Sequence, residues 1–125
     1  MDSNRMLFLG AIFAGLAVAG GAFGAHMLKA ILDAPRLGAF ETGVRYQLYH
    51  ALALCALAGI AERNQKLHVA AVGWLFAIGI VLFSGSLYLL SLSGIGWIGA
   101  FTPLGGAAFI TGWALLAWTV ARNHV

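Results

Sequence analysis

Four apolar stretches, each about the twenty residues that cross a bilayer's hydrocarbon, are separated by short polar breaks. The first covers 6–28, between Arg5 and Lys29. The second covers 43–61 and is preceded at 34–42 by a helix start of interfacial character. The third covers 67–92 and the fourth 102–121, ahead of Arg122. Backbone polar groups in lipid must pair within their own segment, which helices of this length achieve. The pattern predicts an all-α, integral membrane, four-transmembrane-helix bundle forming a single domain over 1–125.

The breaks carry their own signals. Glu62-Arg63-Asn64-Gln65-Lys66 reads as a tight polar turn. Asp33 or Ala34 is positioned to cap a helix with Pro35 in its first turn. Thr102 suits an N-cap, with Pro103 at the first helical position. The link at 93–99 is uncharged and glycine-rich, with Trp97 suited to the headgroup boundary. The basic start at Arg5 and Ala17-Val18-Ala19 imitate a cleaved secretory leader. The apolar run nevertheless continues to Met27, longer than a leader's core.

Composition narrows the class. Hydrophobic residues make up 62% of the chain and charged residues 9%, against about a quarter charged in a soluble domain. The net charge is +3, but its Lys and Arg residues are scattered at helix ends, as membrane flanks should be. No nucleic-acid partner is expected. Arg5, Arg63, Lys66 and Arg122 share the side of the termini, against Lys29 and Arg36 on the other, with Arg45 added there unless it is buried. The positive-inside rule then places both termini in the cytoplasm of an inner-membrane protein. Cys55, the single cysteine, reads as a small buried hydrophobe. His68 and His124 read as interfacial residues, and the four tryptophans as anchors and fillers.

The candidate chemistry lies in the second stretch. At about 100° per residue, Glu41, Arg45, Tyr49, Thr42, Tyr46 and His50 fill one half of a helical cylinder, while Val44, Leu48, Ala51 and Cys55 fill the other. Ionisable groups in lipid are costly and usually face protein, so the polar half is expected to face the bundle. Glu41 and Arg45 have the favoured order for a helical ion pair. His26, Ser84, Ser86, Tyr88, Ser91 and Thr102 fall in the same leaflet. The expected site is a polar pocket of His26, Glu41, Arg45, Tyr49, His50, Ser84 and Ser86, open on the side opposite the termini.

Four motifs then suggest a family. They are Gly21-Ala22-Phe23-Gly24-Ala25-His26, the run from Phe40 to Ala53, Phe83-Ser84-Gly85-Ser86-Leu87-Tyr88-Leu89-Leu90, and Thr102-Pro103-Leu104-Gly105-Gly106. With these the chain resembles the small membrane proteins of domain-of-unknown-function family 423, related to transmembrane protein 256. The resemblance implies a membrane location and four helices, and no transferable activity.

The residues leave three functions to weigh. The first is a non-enzymatic structural or assembly component with a buried polar network and no cofactor. Its partners would be the bilayer and either further copies or a larger membrane complex. The second is binding or transport of a small molecule, anion or proton through the polar pocket. The third is haem or metal binding by His26 and His50, for which no cysteine or carboxylate partner has suitable spacing. No serine–histidine–acid arrangement supports an enzyme.

Overall fold

A computed structural model describes residues 1–123, so His124 lies outside the described residues. The described residues fold into four long helices: α1 (Ser3–Ile31), α2 (Ala34–Arg63), α3 (Ala70–Ser93) and α4 (Thr102–Asn123). A 3₁₀ turn, Gly96–Phe101, leads directly into α4. By length and composition, three stretches among the described residues can cross a membrane: Ser3–Ile31, Ala70–Ser93 and Gly96–Asn123. The fourth helix, α2, has 30 residues and carries the polar cluster.

Local chemistry sets the helix ends. The Asp2 carboxylate accepts the Arg5 amide at 2.8 Å, and the Asp33 carboxylate accepts the Arg36 amide at 3.0 Å. Each satisfies an amide that has no partner within its helix. Asp33, rather than Ala34, is therefore the cap of α2, with Pro35 in its first turn. Thr102 does not cap α4. Its backbone is already helical (φ −59°, ψ −46°), because the 3₁₀ turn runs straight into it. Its hydroxyl instead meets Ser86 Oγ at 2.6 Å. Gly94 ends α3 in the left-handed conformation, φ +73°, which glycine adopts without a Cβ clash. Arg36 Nε donates to the Ser91 carbonyl at 2.7 Å there, tying α2 to the end of α3.

Successive helices run antiparallel. At one end of the α1–α2 pair, Ser3 Oγ donates to Glu62 Oε1 at 3.1 Å. Toward the other end, Gly24 lies against the Phe40 ring. α2 and α3 form the middle of the assembly. α1 packs against α2, and α4 against α3. The core joins Met6, Leu54, Leu57, Val69, Val72, Phe76, Ile80 and Phe109. Two helices contain a π-helical turn, Gly24–Leu28 in α1 and Ile80–Ser84 in α3. Such wider turns re-aim side chains locally.

α3 and α4 approach closely at Gly105. A methyl group at Gly105 would run into the backbone of Phe83, whereas one at Gly15 would meet nothing within 4 Å. Small residues at such crossings let membrane helices pack tightly. Gly105→Ala should destabilise the fold by about 1–3 kcal/mol, the usual cost of overpacking, while Gly15→Ala should leave it unchanged. Thermal unfolding of the two purified variants checks this difference.

Candidate functional site

The inward face of α2 is not its most polar half. Buried positions are Phe40, Gly43, Gln47, His50, Ala51, Leu54, Leu57 and Ala58, spaced three and four residues apart on one stripe. Glu41, Arg45, Tyr46 and Tyr49 are exposed, while Thr42 is half-buried. Ala51, expected to face lipid, is fully buried, and a methyl at Gly10 would come within 2.8 Å of its carbonyl. The helix is thus rotated by about a third of a turn from the orientation that polarity alone implies. Close packing explains the rotation: the small residues Gly43, Ala51 and Ala58 admit α3 and α1, and long polar side chains in those places would not.

The expected Glu41–Arg45 pair does not form. Arg45 Nη2 instead donates to Thr42 Oγ1 at 3.2 Å. Among the described residues the ion pair within 4 Å is Arg5–Asp2. His26 is exposed on α1 and does not join His50. Of the seven residues anticipated as a site, the structure brings His50, Ser84 and Ser86 into the interior, and leaves His26, Glu41, Arg45 and Tyr49 on the surface.

The interior set makes several separate hydrogen bonds between helices. Gln47 Nε2 donates to the Phe13 carbonyl of α1 at 2.8 Å, and its Oε1 accepts the Tyr88 hydroxyl of α3 at 2.6 Å. One amide thereby joins three helices. Ser84 Oγ donates to the Gly43 carbonyl at 2.6 Å. Ser86 Oγ contacts Thr102 Oγ1, linking α3 to α4. Trp113 Nε1 donates to His50 Nε2 at 3.0 Å, and His50 Nδ1 lies 2.8 Å from the Tyr46 carbonyl. The indole can only donate, so Nε2 is the acceptor and Nδ1 carries the proton of a neutral imidazole.

Around His50 this interior is filled. The Phe109 ring stacks on His50 at 3.6 Å between centroids, nearly parallel at 9°, and Phe76 meets its edge at 5.2 Å. Among the described residues no buried side-chain nitrogen or oxygen lacks a hydrogen-bond partner. Both ring nitrogens of His50 are engaged, so a metal or haem ligand there would have to displace Trp113 or Tyr46. No group of three His, Cys, Asp or Glu side chains among the described residues is placed to hold a metal ion. The open polar hollow anticipated between Arg45 and His50 is replaced by packed aromatic rings, because Arg45 turns outward while His50 turns in.

From sequence, Gln47 belongs to the hydrogen-bonding cluster of the second stretch but not to the expected site residues, and Trp113 reads as an anchor or filler. A signal for Gln47 was present: it lies four residues after Gly43, three before His50 and seven before Leu54, on the stripe that packs.

Removing one partner from a buried hydrogen bond costs more than removing both. Gln47→Leu should therefore destabilise the protein by about 1–3 kcal/mol by stranding the Tyr88 hydroxyl. Adding Tyr88→Phe should recover part of that loss. A double-mutant cycle on chaotrope unfolding in detergent measures the coupling; strictly additive losses would deny it.

Comparison with known proteins agrees with an integral membrane protein. The family model described as a protein of unknown function (DUF423) matches residues 20–106. A UPF0382 membrane protein of Staphylococcus saprophyticus is 50% identical over 110 residues, covering 88% of this chain and 91% of its own. The UPF0382 membrane protein YwdK of Bacillus subtilis is also 50% identical, over 111 residues, covering 88% and 90%. The UPF0382 inner membrane protein YgdD of Escherichia coli is 42% identical over 116 residues, covering 93% and 88%. No solved structure matches the chain. The matched span, which holds Gln47 and its α3 partner Tyr88, and relatives aligned over nearly their whole length place this chain in the DUF423 (UPF0382) family of membrane proteins.

Proposed function

We propose that the protein is a non-enzymatic membrane assembly module. In this reading α2 is a fourth span, both termini lie in the cytoplasm, and the polar interior fixes helix register rather than handling a substrate. The outward face of α2 joins two copies. The observation that carries this reading is the division of α2 into a satisfied inward set and an outward set of hydrogen-bonding side chains without cover.

Depth makes the outward set costly. The Arg36 and Glu62 contacts at the two ends of the bundle are about 39 Å apart along α2 by helix rise. A hydrocarbon layer of about 30 Å centred between them has Glu41 just inside its boundary and Tyr49 near its middle. Polar side chains at such depth usually face protein. Tyr49 is 55% exposed, and Glu41 has no ion pair among the described residues.

The same face has the spacing of a helix–helix seam. Arg45, Tyr49, Leu52, Ala56, Gly59 and Arg63 are exposed and alternate at four and three residues, the heptad rule for left-handed packing. Gly59 faces open space. A two-fold axis along the membrane normal brings the same surface of each copy together. Two parallel α2 helices would then set Glu41 of one copy against Arg45 of the other, twice over. Self-complementary charge favours a second copy over a different partner.

Charge reversal tests this. Glu41→Arg and Arg45→Glu should each weaken dimerisation about tenfold, since interhelical polar contacts are worth on the order of 0.6 kcal/mol or more each. The swapped double variant should recover it. Dimer fraction against dilution in vesicles, read by energy transfer between labelled copies, gives the answer. A monomeric wild type, or single variants that associate as well as wild type, would overturn the proposal.

A further inference from the structure

The end of the bundle that carries the termini has a cleft of a different character. It lies between the α2–α3 turn and the last turns of α4, with a volume of about 420 Å³. Lys66 and His68 line it from the turn, and Thr119 and Arg122 from α4. Leu115 and Trp118 form its apolar wall, nearer the membrane interior along α4. No acidic side chain is among the described residues that line it. Glu62, the nearest acid in sequence, is held by Ser3 on α1. Asn123 also lines the cleft, but its Nδ2 is committed to the Thr119 carbonyl at 2.7 Å.

We infer that this cleft seats the phosphate headgroup of an anionic phospholipid. Two permanent cations, Lys66 and Arg122, line a space that fits one headgroup. Trp118 is 61% exposed, with its ring below the basic rim, the amphipathic position that tryptophan takes at a membrane boundary. A free phosphate would use the cations alone, whereas a phospholipid would also lay its glycerol and upper acyl chain on Leu115 and Trp118. The first turn of α3 begins two residues beyond His68, with no side-chain cap on its amides. That adds positive potential at the same end of the bundle. Basic pockets between membrane helices bind anionic headgroups through these forces.

Native mass spectrometry of the detergent-purified protein tests the assignment, with phosphatidylglycerol and phosphatidylcholine of equal chain length as probes. Phosphatidylglycerol should bind in preference. Lys66→Gln and Arg122→Gln should each weaken it about fivefold, the effect of one basic residue at a membrane surface. Lys29→Gln, at the opposite end, removes the same charge and should change nothing. An equal loss in the Lys29 variant, or equal binding of the two lipids, would overturn the inference. So would displacement of phosphatidylglycerol by millimolar inorganic phosphate, which would mark a free-anion site.

Discussion

A hydrogen-bonding group in hydrocarbon has no water to turn to, and leaving it unpaired costs several kcal/mol. That constraint organises this bundle. Gln47 satisfies both ends of its amide on two other helices. His50 satisfies both ring nitrogens within the protein. Each bond is modest in lipid, on the order of 0.6 kcal/mol on average, yet each is directional. Sliding α2 by one residue would break the contacts to α1, α3 and α4 together, so the network specifies register more than it supplies stability.

Packing gives the network its shape. Close approach at Gly43 and Ala51 brings α3 and α1 near enough for side-chain-to-carbonyl bonds. The π-helical turn Ile80–Ser84 lies where Ser84 reaches the Gly43 carbonyl. Aromatic rings fill what remains, with Phe109 flat against His50. The result is an apolar interior threaded by polar side chains, whose buried nitrogen and oxygen atoms all find partners among the described residues. Outside it, Glu41, Arg45 and Tyr49 are exposed, with Arg45 bonded to Thr42 and Tyr49 packed edge-on against Tyr46, and the proposed second copy would cover them.

The helices were legible in the residue pattern because apolar runs of membrane length separated by Glu62–Lys66 and similar breaks admit little else. The start of α2 was legible through Asp33 and Pro35, whose chemistry is local. The rotation of α2 was not. Sorting residues by polarity places Arg45, Tyr49 and Glu41 inward, whereas contact geometry selects the stripe through Gly43, Gln47, His50 and Leu54. His50 lies at the edge of both faces, so it was identified correctly as interior while its neighbours were not. The π-helical turns and the partners of Gln47 depend on contacts remote in sequence, and no local motif announces them.

Disulfide trapping tests the outward seam most directly. In a Cys55→Ala background, a single cysteine at Ala56 should cross-link two copies in native membranes under mild oxidation, while one at the buried Leu57 should not. Equal trapping at both positions, or none at Ala56, would contradict an α2-to-α2 interface and leave the exposed polar face unexplained.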